Sequence, residues 1–248
     1  MAFLTDTTLL LAACMLLGAA LYSSVGHAGA SAYIALMVLF GVAPGVMRPT
    51  ALTLNILVAG LTSYRYVRAG AFSWQVLWPF LLGAMPMAFL GGTVELPVHV
   101  YRPLVGVVLV ISAIRMLWPK ELRAARQTHA PPVLVAIGAG AGLGLLAGMT
   151  GTGGGIFLSP LLIFLAWGAP RSVSGISAVF ILCNSIAGLL GNLASLRALP
   201  PELPWYAGAV LVGALIGTSL GIRLAVPGVI KALGIVLLIA GVKLIGVY

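Results

Sequence analysis

Acidic residues are nearly missing from this chain: Asp6, Glu95, Glu121 and Glu202 are the only four in 248 residues. Soluble domains carry charge on about a quarter of their residues, whereas here charged residues make up 7%. The four acids all fall at the start of the chain or in connecting stretches. That placement excludes paired catalytic carboxylates and argues against a cation path, which needs a buried acid. Cysteine is equally scarce. Cys14 and Cys183 each sit inside an apolar run without His or acidic neighbours at ligand spacing, so they read as small buried hydrophobes and not as a disulfide or metal site. The chain contains no nucleotide-binding loop and no nucleophile–base pair, so neither an enzyme nor a cofactor nor a metal is expected. Lys and Arg are absent before Thr7, so the first apolar run reads as a retained helix despite the Ala28-Gly29-Ala30 that follows it.

What fills the chain instead is apolar: 61% hydrophobic residues and a mean hydropathy of +1.17. The apolar runs are long and continuous and show no alternation of apolar and polar residues, which predicts spanning helices and not barrel strands. The fold class is therefore all-α integral membrane. The formal charge of +9 comes from thirteen basic residues scattered at the ends of apolar runs. That placement orients a membrane protein and excludes nucleic acid as a partner.

The runs fall in a repeated order. Residues 7–24 are apolar, 26–30 break, and 31–42 form a run too short to span; spans follow at 48–67, 74–93 and 102–118. After the polar stretch 119–132 the order recurs, with 133–149, a glycine-rich break, a short run at 156–167, and spans at 171–196, 205–223 and 227–247. Gly41-Val42-Ala43-Pro44 is echoed by Trp167-Gly168-Ala169-Pro170. The expected domains are a first repeat at 1–118, a cytoplasmic linker at 119–132 and a second repeat at 133–248, together one membrane domain. Each repeat holds three spanning helices and a broken helical hairpin, for 8 to 10 transmembrane segments. Five hydrophobic segments per half is an odd number, so the halves run in opposite directions. Placing the linker in the cytoplasm puts Arg65, Arg68, Arg115, Lys120, Arg123, Arg126, Arg171, Arg223 and Lys231 on that face, and leaves Arg48, Arg102, Arg197 and Lys243 outside. Both termini are then external.

The two breaks carry the functional expectation. Gly148-Met149-Thr150-Gly151-Thr152-Gly153-Gly154-Gly155 cannot face lipid, because backbone that leaves the helix has no water to bond there. Gly26-His27-Ala28-Gly29-Ala30 is a weaker copy about half the chain earlier. Interrupted helices at corresponding places in inverted halves point to a secondary transporter with its site near the midplane. A glycine-rich break before a helix offers N–H groups and the positive dipole end, which suit an anion. The candidate substrate-binding residues are Gly26, His27, Gly29, Asn55, Thr150, Gly151, Thr152, Gly153, Gly154, Gly155, Ser177 and Asn184. His27 is also the candidate for proton coupling, against the alternative of a neutral ring bonded within its own loop. Gly138, Gly140, Gly142, Gly144 and Gly148 read as packing glycines. Arg48 and Arg171 read mainly as topological anchors at helix starts, and Tyr64, Tyr66, Trp74, Trp78, Trp118 and Trp205 as interfacial belt residues.

The run Gly151-Thr152-Gly153-Gly154-Gly155 followed by Pro160, the later Ser177 and Asn184, and the inverted halves resemble the sulfite exporter TauE/SafE family of membrane permeases. The second-half motif matches, while the first half has Ala28, Ala30 and Ala35 in place of the motif residues. The resemblance implies export of small sulfur-containing or organic anions, such as sulfite, sulfonates or sulfoacetate, across a bacterial inner membrane. Without an ATP-binding motif, the drive is expected from the membrane potential or a proton gradient. A channel-like or cation-coupled permease, or a non-transporting membrane assembly protein, are the alternatives. Binding is expected to be more sensitive to change at Gly153, Gly154 and Gly155 than at Ala28, Gly29 and Ala30.

Overall fold

A computed structural model describes residues 6–117, 129–193, 199–221 and 227–246. Among them are ten α-helices and no strand: α1 (Asp6–Ser24), α2 (Ala30–Leu39), α3 (Pro44–Arg68), α4 (Trp74–Thr93), α5 (Val98–Leu117), α6 (Val133–Thr150), α7 (Gly155–Phe164), α8 (Pro170–Gly191), α9 (Leu203–Gly221) and α10 (Pro227–Gly246). Five stretches are long and apolar enough to cross a membrane, in α1, α4, α6, α8 and α9. The all-helical integral membrane class follows. α3 starts earlier than its apolar run predicts, at Pro44 and not near Arg48. α8 likewise starts at Pro170. The reason is the same at both places: proline is pre-set for the first helical position, where no N–H bond is lost.

The expected linker charges Lys120, Glu121, Arg123 and Arg126 lie outside the described residues, as do Trp118, Arg197, Arg223 and the side chains of Arg115, Arg171 and Lys231.

Helices pair mostly across the chain's midpoint. α1 lies on α9, α4 on α6, α5 on α10 and α3 on α8, with α4 also touching α8 and α3 touching α9. Small residues make the closest of these approaches possible. A Cβ added at Gly140, Gly144 or Gly148 of α6 would run into the α4 carbonyls of Phe80, Ala84 and Ala88 respectively. Without a hydrophobic drive in lipid, such backbone-to-backbone approach is what holds helices together. Gly138 and Gly142 differ from expectation, since a Cβ there meets nothing within 4 Å. Valine at Gly144 is expected to abolish recovery of monodisperse protein after detergent extraction, while alanine at Gly138 leaves it intact; size-exclusion chromatography reads both.

α2 and α7 are each 10 residues long, about 15 Å at 1.5 Å per residue, or half a hydrocarbon core of about 30 Å. Their N-termini are both buried. Ala30 N–H donates to Oδ1 of Asn55 near the middle of α3, at 3.1 Å. The carbonyl of Gly155 receives Nε2 of His27 at 3.1 Å.

Candidate functional site

The site is built by two backbone breaks. After α1 the chain leaves the helix through Gly26 and Gly29, both at positive φ, and enters α2. After α6 it does so through Gly151, Gly153 and Gly154, also at positive φ, and enters α7. Gly153 shows why the residue must be glycine. Its φ is 75°, and a Cβ there would sit 2.6 Å from Nδ2 of Asn55 and 2.9 Å from Cγ2 of Ile181. Both the left-handed conformation and the close approach exclude a side chain. The backbone of the second break is therefore laid directly against an α3 amide and an α8 side chain.

Polar side chains then stitch the breaks together. His27 Nε2 reaches Gly155 O and lies 3.0 Å from Ser159 Oγ on α7. Ser159 Oγ in turn lies 2.6 Å from Ser177 Oγ on α8. His27 Nδ1 faces Val25 O of its own loop at 3.3 Å. Both ring nitrogens thus face carbonyl oxygens, and a neutral imidazole can donate to one of the two while an imidazolium donates to both. Asn55, besides holding Ala30 N–H, donates from Nδ2 to Ser185 Oγ at 3.3 Å. Thr150 Oγ1 bonds Leu146 O at 2.6 Å and Thr152 Oγ1 at 2.9 Å. The structure brings His27, Gly155 and Ser177 into one network and Asn55, Gly153 and Ser185 into another.

Asn184 stands apart. It is fully buried, and neither its Nδ2 nor its Oδ1 has a hydrogen-bond partner. It lies one helical turn beyond Ile181, which touches Gly153 and Gly155, and one turn before Gly188, which touches Gly148. Spacings of three, four and seven residues put Ser177, Ile181, Asn184 and Gly188 on one α8 face, the face turned to the second break. An unpaired buried amide costs about 1–3 kcal/mol, so its persistence calls for an explanation.

The two N-termini are unequal. At α2 the first N–H is taken by Asn55 Oδ1. At α7 an apolar side chain, Ile181, occupies the space beside Gly155, and the cap residue Gly154 supplies no side-chain bond. No hydrogen bond from the N–H of Gly153 or Gly154 is made within the described residues.

Sequence reasoning misses Ser159 and leaves Ser185 as one polar residue among several within α8. Ser159 stands four residues into the short run after the break, one turn from Gly155, and that spacing is the available signal. Two expectations are corrected. Arg48 is no surface anchor: it is 7% exposed, and its Nη atoms donate to Gly91 O, Gly92 O and Val94 O at the end of α4. Tyr66 is no belt residue: it is buried, with its hydroxyl on Ser24 O at 2.7 Å. Tyr64, Trp74 and Trp205 are exposed, as a belt requires.

The comparisons with known proteins agree with this architecture. The profile of the family described as "Sulfite exporter TauE/SafE" matches residues 10–244. The chain is similar to the "Probable membrane transporter protein y4hK" of Sinorhizobium fredii (strain NBRC 101917 / NGR234), at 40% identity over 228 residues, covering 90% of this chain and 92% of that one. No solved structure matches. A multi-pass helical membrane protein with a family match across nearly its whole length, this chain belongs to the sulfite exporter TauE/SafE family of membrane transporters.

Proposed function

We propose that this transporter carries a small sulfur-containing or organic anion, of the sulfite, sulfonate or sulfoacetate class, by alternating access. The observation that carries the reading is the Asn184 amide, buried and unpartnered on α8 one turn from Ile181, whose side chain meets Gly153 and Gly155 at the second break. A helix N-terminus presents about half a positive charge together with N–H donors. An amide Nδ2 adds two more donors without a counter-charge that would have to be displaced. The anion takes the Gly153 and Gly154 N–H groups, the α7 N-terminus and Asn184, with Ser177 and Thr152 at its edge. Asn55, Gly26 and Gly29 shape the opposite wall.

Two inverted halves, 1–118 and 133–248, form the moving parts, with the linker 119–132 cytoplasmic and both termini external in a bacterial inner membrane. The helix pairings support the correspondence of the two halves. Exchange of the halves turns the α1–α9 pair into α6–α4, and α3–α8 and α5–α10 into themselves. It also matches Gly26 against Ser174 with Gly151 against Arg48. An anion leaving a negative-inside cell moves down the electrical gradient by about 2.3 kcal/mol per charge at 100 mV.

Proteoliposome flux tests the reading: labelled sulfite or a sulfonate should move in response to an imposed potential without ATP or Na⁺. Flux that requires Na⁺ and ignores the anion would overturn it. His27 adds proton coupling, since a ring between two carbonyls changes its bonding with its charge. His27→Gln is expected to flatten the pH dependence of flux; an unchanged profile removes the coupling.

A further inference from the structure

The strongest feature outside the midplane is a cavity of about 230 Å³ at the face where α3 begins, lined by Arg48, Glu95, Leu96, Val98, Tyr101 and Asn192 with the Pro44 turn. Its volume is several times the roughly 30 Å³ share of one water, enough for a small oxyanion. Arg48 is the deepest charged group there. Its guanidinium spends both Nη atoms on the closing carbonyls of α4, at 2.6–2.9 Å, and its buried Nε has no partner.

The charge balance favours an anion. A helix C-terminus offers about half a negative charge, so α4 offsets only part of the guanidinium's unit charge. Glu95 stands exposed on the rim and acts on Arg48 electrostatically, but water and salt screen it more than they screen the buried guanidinium. The cavity is also wired to the second glycine break. A Cβ at Gly151 would lie 3.3 Å from Arg48 Cα, and Tyr101 donates its hydroxyl to Thr150 O at 3.3 Å. At the corresponding place in the other half, Gly26 abuts Ser174, which carries no charge. Arg48 therefore has no charged counterpart at the matching position, where the other half carries Ser174.

We propose that this cavity is a second anion subsite, a vestibule that holds the small anion beside the Arg48 guanidinium before or after it occupies the midplane site. The proposal rests on the anion-transport reading above and adds where one of the two approaches is charged. Tyr101 and Asn192 form its polar wall, and Leu96 and Val98 its outer lip.

The test uses the full chain with Cys14→Ala, Cys183→Ala and Val98→Cys, the new thiol standing on the exposed lip. Anionic and cationic methanethiosulfonates are compared at low ionic strength. With Arg48 present the anionic reagent reacts faster. Arg48→Gln should lower the anionic-to-cationic rate ratio about five- to tenfold, as loss of a unit charge within about 10 Å predicts, while Arg48→Lys keeps it within about twofold. An unchanged ratio in Arg48→Gln overturns the subsite. Because Arg48→Gln also frees the α4 carbonyls and can fail to fold, a second measurement keeps Arg48 intact. Sodium sulfate should slow labelling of the Val98→Cys thiol by N-ethylmaleimide at least about threefold relative to gluconate at equal ionic strength, and should still do so when Asn184→Leu is added. Protection that vanishes with Asn184→Leu means the anion is held at the midplane alone and overturns the vestibule. Protection that persists while Asn184→Leu transports normally supports the vestibule and refutes the midplane reading instead.

Discussion

Leucine in place of Asn184 is expected to raise the thermal midpoint of the detergent-solubilised protein while transport falls by 10- to 100-fold. The two effects have one cause. Asn184 is fully buried with both amide atoms unpaired, and an unsatisfied buried group costs about 1–3 kcal/mol in the empty protein. Leucine has the same branched arrangement of heavy atoms and removes that cost. The same amide, bonded to a charged ligand, contributes about 1.5–3 kcal/mol, which is the 10- to 100-fold loss in flux at limiting substrate. Thermal unfolding and proteoliposome flux on one preparation decide it. A variant that is less stable and equally active would make Asn184 a structural residue and remove the main support for the midplane site.

Valine at Gly153 should be the most damaging substitution at the breaks. A non-glycine residue at φ 75° costs roughly 1–2 kcal/mol in backbone strain alone. Its Cβ would press on Asn55 Nδ2 at 2.6 Å and Ile181 at 2.9 Å. Displacing Asn55 loosens its bonds to Ala30 N–H and Ser185 Oγ, each worth about 0.5–1.5 kcal/mol. The sum, roughly 2–5 kcal/mol, falls on a place where both halves touch the second break. Flux is expected to drop at least about 100-fold even where folded protein is recovered, with Gly138→Ala as the unaffected control. Near-normal flux in Gly153→Val would show that the break serves helix packing only.

These two residues mark how far the sequence can be read. The breaks are visible because three consecutive glycines between apolar runs have one physical meaning in lipid: backbone that must be buried in protein or line a cavity. Asn184 is visible as a polar residue inside a span, which hydrocarbon does not tolerate without a purpose. Its lack of partners is not visible, because that depends on what the neighbouring helices place around it. The bond that Ser159 makes is not visible for a related reason: its partner His27 lies in the other hairpin, 132 residues away. Arg48 misleads because a cation near a helix start looks the same whether it faces headgroups or turns inward onto the end of α4.

Composition and the two glycine breaks by themselves determined that this protein is a helical membrane protein with paired interruptions, since lipid punishes charge and unpaired backbone wherever they occur. Which side of each helix faces inward was decided only by the tertiary structure. In lipid both sides are apolar, so no amphipathic stripe records the rotation of a helix about its axis. Packing across the midpoint, α1 on α9 and α4 on α6, sets those rotations. That packing joins His27 to Ser159, lays Gly153 against Asn55, and leaves Asn184 buried and unpaired.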